Sequence, residues 1–480
     1  MNTILEVVKA SGAQAVHPGY GFLSENSTFQ KLLQANNVTF IGPGTKAILA
    51  MGDKISSKKL AKEAGVSTVP GYIGEVETVK DVLRISNEIG YPVMIKASGG
   101  GGGKGMRIAW NDKEAEEGFK LSKDEAISSF GDGTIFIEKY IQSPRHIEYQ
   151  ILGDMHGNYV YMPERECSVQ RRNQKVIEEA PSPVMDPETR RKMGEQAVAL
   201  ARACDYHTTG TCEFLMDINK DFYFLEMNTR LQVEHPITEE ITGVDLVEQQ
   251  ILTAAGHPLT MKQSDIKING HATEYRVYAE DPSRKFLPSI GFLTKYLEPR
   301  AHPDMRIDTG VQEGSEISMY YDPMISKLIT WGKDRETSMN LLSEKLDEYV
   351  VHGVGHNIGF GKSIVENEAY WKGDYNTAFI PTYYKDGYHG EELTFDRKRA
   401  IALAAFKMRN ISASQNTIKP DLARSEKVLF VSIEDGDKNH DFKVEQIKEG
   451  EFVVTDLESG EEKTHNLDRF GYEHNSLIEL

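Results

Sequence analysis

Between Glu226 and Glu234 apolar and polar positions alternate. Glu226, Asn228, Arg230, Gln232 and Glu234 fall on one side, with Met227, Leu231 and Val233 on the other. A two-residue period predicts an extended segment with one strongly polar face. Upstream, Thr211–Asp217 has strand character, Asn219-Lys220-Asp221 supplies a turn, and Phe222–Leu225 leads back toward Glu226. The hairpin so predicted brings Glu213 beside Glu226 and Asn228.

The rest of the chain reads as a mixed α/β succession. Ala13–Val16 is a strand, Thr28–Ala35 a helix and Val38–Ile41 a strand closed by Gly42-Pro43-Gly44. Met51-Gly52-Asp53-Lys54 opens a helix that ends near Gly65, with Asp53 as its N-cap. Tyr91–Ala97 is a buried-type strand carrying Lys96, and Thr134–Ile141 is a second β run. His146–Ile151 and Asn158–Met162 form a hairpin. Glu188–Ala203 repeats apolar residues at helical spacing, and a helix beginning at Thr238 carries Glu239 and Glu240 in its first turn. His271–Asp281 alternates again, Tyr321–Ile329 follows a β-rich stretch, and Glu336–Tyr349 is an amphipathic helix. Beyond Asn376 the pattern changes to a helix over Arg397–Met408 and short β runs at Val428–Ile433 and Phe452–Thr455.

A chain of 480 residues exceeds a single core and predicts several domains. Its net charge of −18 argues against nucleic acid as the main partner, since phosphate backbones need a basic surface. Three cysteines make neither a disulfide framework nor a metal spacing. No apolar run is long enough to span a bilayer, so no membrane partner is expected. The first ten residues read as an amphipathic helix, with neither a basic leader region nor an arginine-rich transit pattern.

Two stretches carry candidate chemistry beyond the hairpin. An all-oxygen set of Glu213, Glu226 and Asn228 suits Mg²⁺ or Mn²⁺. Gly99–Gly103 is five glycines in succession, followed by Lys104-Gly105. Such a run is costly in conformational entropy, and its bare N–H groups can approach phosphate oxygens closely. Met106 after Gly105 excludes the Walker pattern, so a phosphate-covering lid is the better reading. Gln170, Arg171, Arg172 and Lys175 concentrate donors for phosphate or bicarbonate oxygens. Lys54 would point toward a nucleotide.

The run Glu226-Met-Asn-Thr-Arg-Leu-Gln-Val-Glu-His-Pro236 resembles the signature of the biotin carboxylases, a branch of the ATP-grasp enzymes, and His17-Pro-Gly-Tyr-Gly-Phe-Leu-Ser-Glu-Asn26 resembles their amino-terminal domain. The resemblance covers about residues 1–375. It implies an α/β (α+β) fold: residues 1–47 as a partial amino-terminal βαβ domain, 48–256 as the ATP-grasp domain with a lid at about 70–140, and 270–378 as a β-rich carboxy-terminal domain. Residues 379–480 resemble the start of a domain that joins the carboxylase unit to a beta subunit. Within the family, Asn173 stands where many members carry His, and Arg276–Pro282 and Tyr320–Thr330 resemble acyl-CoA carboxylase alpha chains.

By this resemblance the cofactors and substrates are ATP, Mg²⁺ or Mn²⁺, bicarbonate, and biotin carried on a domain not present in this chain. Lys54, Lys96, Gly100, Gly101, Gly102, Gly103, Glu138, Lys139, His146, Gln170 and Asn173 would hold ATP, and Glu213, Glu226 and Asn228 the metal. Arg230, Gln232, Val233 and Glu234 would bind bicarbonate, with Glu234 as general base and Arg230 as an anion fork. Lys175 would neutralise developing charge. Tyr20, with Glu25 nearby, and Arg276 would face biotin. The resemblance also implies a biotinyl carrier domain and a carboxyltransferase beta subunit as partners. In a eukaryote it implies the mitochondrial matrix, otherwise the cytoplasm. The family's opening βαβ unit and an Ala-Met-Lys-Met biotinyl site are expected to lie outside this chain. Three alternatives stay open: an inactive assembly or regulatory fragment, a carboxylase unit serving another acyl-CoA (acetyl- or methylcrotonyl-), and another ATP-grasp ligase that activates bicarbonate, against which Glu234-His235-Pro236 and His17–Asn26 count.

Overall fold

A computed structural model describes residues 1–72, 74–98, 105–390, 393–415, 427–435 and 438–466. Gly100, Gly101, Gly102 and Gly103, expected to cover phosphate, lie outside the described residues. The chain forms two units, Met1–Tyr388 and His389–Leu480.

In the first unit, helix α1 (Lys54–Glu63) starts where Asp53 accepts the Ser56 N–H, as expected of an N-cap. A separate helix, Thr45–Gly52, precedes it because Ala47, Ile48 and Met51 fall on one buried face. Strands β1 (Val93–Ala97), β2 (Met106–Ala109) and β3 (Ile135–Lys139) join Gly71–Tyr72 in a small antiparallel sheet, with β3 central between Gly71–Tyr72 and β1. Val93, Ile95, Ile135 and Ile137 bury one side of this sheet. Lys96 and Glu138 are left for the other.

The large sheet is antiparallel and has nine strands. Its main path uses β4 (Arg145–Gly153), β5 (Arg165–Arg171), β6 (Gln174–Ala180), β7 (Thr208–Met216), β8 (Phe222–Asn228), β9 (His271–Tyr278), β10 (Met305–Thr309) and β11 (Met324–Gly332). They run in the order β8-β7-β4-β5-β6-β9-β11-β10, and Tyr159–Tyr161 pairs with β4. On one side Ile147, Tyr149, Ile151, Phe214, Phe224 and Met227 pack on the helix Pro187–Ala203. In the carboxy-terminal half Tyr275, Val277 and Leu328 pack with residues of Arg335–Asp347 and Ile358–Val365. On the opposite face of these strands lie His146, Glu148, Gln150 and Glu213, with Leu152 packing against Leu246 at the end of the row. That polar face is buried all the same, and it forms the site.

Three expectations are corrected by the structure. The strand carrying Glu226 stops at Asn228 rather than running on to Glu234. The Thr229 N–H and hydroxyl turn instead to Glu25, at 2.8 and 3.1 Å, which draws the backbone out of the ladder. The following helix α2 spans His235–Thr242 and so begins ahead of Thr238. Pro236, with its preset φ, occupies the first turn, and Glu239 and Glu240 lie beyond it. His271–Tyr278 also differs from a half-exposed alternating strand, since all eight of its residues are buried.

In the second unit the helix Phe395–Gln415, longer than the expected Arg397–Met408, packs Leu403 and Phe406 with Phe442, Val444, Phe452 and Val454. Those residues belong to an antiparallel sheet of Val428–Asp435, Lys438–Lys448, Glu451–Asp456 and Glu462–Asn466.

Candidate active site

The β7–β8 hairpin places Glu213 directly opposite Glu226 and Thr211 opposite Asn228. A register shift at Phe214 keeps Phe224 and Met227 in the apolar core while both glutamates take the polar face. Asn228 Nδ2 and Gln232 Nε2 both donate to Glu213 Oε1, at 2.9 and 3.0 Å. His146 Nε2 lies 3.2 Å from the other Glu213 oxygen.

Lys175 sits at the centre of an acidic ring. Its Nζ is 2.5 Å from Glu148 Oε2, 3.1 Å from Glu213 Oε1 and 2.5 Å from Glu234 Oε1. The second Glu234 oxygen accepts from Arg276 at 2.8 Å, and Arg276 also donates to Glu178 at 2.6 Å. Arg165, wholly buried, donates to Glu148 at 2.5 Å and to Thr238, Gln150 and Thr211. A register shift between Lys175 and Ile177 breaks the two-residue period, so that Lys175 and Glu178 both reach this cluster.

The electrostatics follow from burial and partners. Burial by itself would raise Glu234, but Lys175, Arg276 and Arg165 outweigh it and hold the carboxyl well below its ordinary range. Glu213 is lowered in the same way, with Lys175 and His146 overcoming burial. Lys175 is raised well above its ordinary value because its three carboxylates outweigh its own burial. Glu226 moves the opposite way, pushed up by burial and then by the neighbouring charge of Glu213.

Arg230 sits at the entrance of this cluster with its guanidinium held on three sides. Nε donates to Glu25 at 3.0 Å, one terminal nitrogen to Asn228 at 3.2 Å and the other to Gln232 at 3.3 Å. Lys327 Nζ donates to the Val233 carbonyl at 2.7 Å and so fixes the loop that carries Glu234. Tyr20 is exposed.

On the small sheet Glu138 pairs with Lys96 of β1 and with Lys58 of helix α1. Burial and the Lys54 ammonium depress Lys96 while Glu226 pulls the other way, and the direct contact with Glu138 argues on geometry for a charged pair. Lys54 Nζ, at the start of α1, lies 3.9 Å from Glu226 and so links that helix to the hairpin. Lys139 does not join Glu138. It occupies the other face of β3, its ammonium donates to the carbonyls of Gly90 and Tyr91, and its main-chain N–H donates to the Pro70 carbonyl at 2.7 Å. Gln170 donates to the Cys167 carbonyl, and Asn173, with φ +64°, forms the turn between β5 and β6 beside Arg172. Arg171 pairs with Glu280 at 3.0 Å and stacks over Phe286, so of that basic run Lys175 alone enters the acidic ring.

Residue-by-residue reading missed Glu148, Arg165, Glu178 and Glu274. The first had a signal: His146, Glu148 and Gln150 are polar at every second position of an otherwise apolar strand. The donor set of Glu213, Glu226 and Asn228 fits a divalent cation. Two carboxylates placed side by side, with Glu226 pushed up by its neighbour, are the arrangement such an ion relieves.

The small lysine-bearing sheet, the large antiparallel sheet and the acidic hairpin together define the ATP-grasp class. The match to known proteins is finer. Residues 1–48 match the family model described as biotin carboxylase, N-terminal domain, residues 53–262 the carbamoyl-phosphate synthase L chain, ATP binding domain, and residues 274–382 the biotin carboxylase C-terminal domain. The biotin carboxylase domain of Hydrogenobacter thermophilus 2-oxoglutarate carboxylase, solved with MgADP, ADP and bicarbonate, is 44% identical with a TM-score of 0.77. That match covers 80% of this chain and 84% of the other. The biotin carboxylase of Campylobacter jejuni is 43% identical with the same TM-score, over 80% and 85% of the two chains. The chain belongs to the biotin carboxylases.

Among full-length relatives it is 57% identical over 446 residues to the mitochondrial propionyl-CoA carboxylase alpha chain of Homo sapiens, covering 91% of this chain and 61% of that one. The Ruegeria pomeroyi propionyl-CoA carboxylase alpha chain is 56% identical over 436 residues, covering 87% and 64%. The chain thus spans about three fifths of the length of these relatives.

Proposed function

We propose that this chain catalyses the ATP-dependent carboxylation of biotin with bicarbonate, as the biotin carboxylase part of a propionyl-CoA carboxylase alpha chain. The observation that carries this reading is the position of Glu234, clasped between Lys175 and Arg276 beside the Glu213–Glu226 hairpin.

In this reading ATP lies between the two sheets' polar faces, with Lys54 and Lys96 toward its phosphates. Glu213, Glu226 and Asn228 would hold a divalent cation, which would supply neutralisation of phosphate charge and orientation of the group to be transferred. Arg230, oriented by Glu25, Asn228 and Gln232, presents a planar fork to bicarbonate. Glu234 accepts the bicarbonate proton. Its ionised state at rest is maintained by Lys175 and Arg276. A phosphate that competes for Lys175 loosens that hold and makes Glu234 a stronger base. The bicarbonate oxygen attacks the γ-phosphorus as its bond to ADP breaks, giving carboxyphosphate and ADP. Carboxyphosphate decays to CO₂ and phosphate within the closed site. The phosphate takes the ureido N–H proton of biotin, and the ureido nitrogen attacks the CO₂. Arg276 faces the ureido oxygen of biotin and stabilises the charge that develops there.

A biotinyl carrier domain and a carboxyltransferase beta subunit complete the reaction, with propionyl-CoA as the acceptor. In a eukaryotic source the compartment is the mitochondrial matrix, and otherwise the cytoplasm; the human relative is named as mitochondrial.

The test is ADP formation by the chain with and without bicarbonate and free biotin. The expected result is turnover that requires both, and a Glu234→Gln variant that still binds ATP and Mn²⁺ but has lost the bicarbonate-dependent rate. Normal turnover in that variant rejects the base assignment. Turnover indifferent to biotin points to a carbamoyl-phosphate type of ligase instead.

A further inference from the structure

Strands β6 and β9 pair with Glu178 directly opposite Glu274, and both residues are wholly buried. One Glu178 oxygen accepts from Arg276. Its other oxygen, and both oxygens of Glu274, have no hydrogen-bond partner among the described residues. The charged groups around the pair are accounted for from every side. β9 supplies Arg276, which is shared between Glu178 and Glu234. β11 supplies Lys327, committed to the Val233 carbonyl and to Asp308 on β10. β6 supplies Lys175, held by its three carboxylates. On α2, His235 bonds the Gln232 carbonyl and Glu239 holds Arg306. Among the described residues no cation pairs with Glu274.

Two ionised carboxylates side by side in a dry interior, one of them unpaired, are strongly disfavoured, and a proton is the simplest remedy. We propose that Glu178 and Glu274 hold a single proton between them, and that this proton sets how much of the Arg276 charge is left for a substrate oxygen. With Glu178 ionised, two carboxylates neutralise the guanidinium. With the pair protonated, Glu234 is its one full counter-charge, and when Glu234 takes up a proton the guanidinium faces the pocket uncompensated. Burial raises Glu274 to about 8 against the pull of Lys327 and Arg276, and raises Glu178 to about 7 against that of Arg276. Glu178 and Glu274 are therefore positioning residues. The role of Arg276 rests on the function proposed above, whereas the shared proton does not.

Infrared spectroscopy of the chain, unlabelled and with ¹³C-carboxyl glutamate, tests the proton directly. At neutral pH a protonated-carboxyl band that shifts with the label is expected. It should titrate away above about pH 8 and be absent from both Glu274→Gln and Glu178→Gln. Absence of the band from the wild-type chain at neutral pH, or its persistence in both variants, overturns the proposal. The titration of the wild-type band alone decides the matter if a variant does not fold. For the link to Arg276, Glu274→Gln should lower biotin-dependent kcat on the order of tenfold at neutral pH. It should also remove the alkaline limb of the pH profile while leaving the KM for ATP unchanged. A wild-type profile in that variant overturns the link without touching the base assignment of Glu234.

Discussion

Glu213 and Glu226 face each other across one rung of an antiparallel hairpin, and Glu226 is held above its ordinary range by burial and by the charge of that neighbour. A cation held by both carboxylates, as proposed above, would relieve the charge that raises Glu226. Glu226→Gln should therefore have opposite effects on two measurements. Without metal it removes a repulsion and leaves the melting temperature unchanged or higher. With Mn²⁺ it loses most of the thermal stabilisation that the ion gives the wild-type chain. Asn228→Ala should weaken Mn²⁺ binding too, but without the gain in the metal-free protein. Calorimetric titration with Mn²⁺ and paired melting curves check both.

Lys175 is the single ammonium shared by Glu148, Glu213 and Glu234. Removing one partner of a buried charge network leaves the others uncompensated, typically at about 3–5 kcal/mol. Lys175→Met should lose stability of that order in urea unfolding at neutral pH, together with ATP cleavage. Lys175→Arg should not restore activity, because a planar fork cannot address three carboxylates as a compact ammonium does. The sign of the pH effect is fixed by direction. Lys175 is raised, so its contribution is complete below the ordinary lysine value and lost as pH climbs through its folded value. Glu213 and Glu234 are lowered, so theirs is complete above the ordinary carboxylate range and lost in acid. The wild-type chain should lose stability at both extremes, and Lys175→Met should flatten the acid side.

How much of this was legible in the sequence depended on the distance over which each feature is determined. The hairpin is local: two strand-like runs and an Asn219-Lys220-Asp221 turn fix Glu213 beside Glu226, and Asp53 caps its helix through the next three residues. The path after Asn228 is not local. It is set by Glu25, 204 residues away in sequence, and without that partner the alternating run reads as continued strand. The acidic ring was half legible, because alternation marks which residues share a face but not which strands are neighbours. Glu148, Glu178 and Glu274 acquire their meaning from the order β4-β5-β6-β9, and each taken alone resembles an ordinary strand carboxylate.

Glu25 gives a separable case. Its carboxylate accepts from Arg230 at 3.0 Å and from the Thr229 N–H at 2.8 Å, and its side chain is 40% exposed. A pair so accessible to water contributes about 0.2–1 kcal/mol. Glu25→Ala should therefore change the unfolding free energy little. It should free both the Arg230 fork and the loop entry, raising the KM for bicarbonate several-fold while the KM for ATP stays near wild type. Steady-state kinetics with each substrate varied in turn checks the split. An equal rise in both would place Glu25 in the scaffold rather than in the anion site.

Glu274 supplies the opposite sign. Its folded-state value is raised to about 8 from an ordinary 4.5, chiefly by burial. Below the ordinary value both folded and unfolded chains are protonated, and the carboxyl adds no penalty. As pH rises toward 8 the unfolded chain ionises while the folded chain resists, so the native state is progressively penalised. Above the folded value the penalty is constant. Each unit of the shift corresponds to about 1.4 kcal/mol, so the full effect is on the order of a few kcal/mol. Glu274→Gln should match the wild type in urea unfolding at about pH 4 and exceed it increasingly toward about pH 9. A variant that becomes more stable in alkali while losing biotin-dependent turnover indicates that the buried carboxyl is retained for chemistry. A variant destabilised equally at every pH would mean that Glu274 does no more than fill space between β6 and β11.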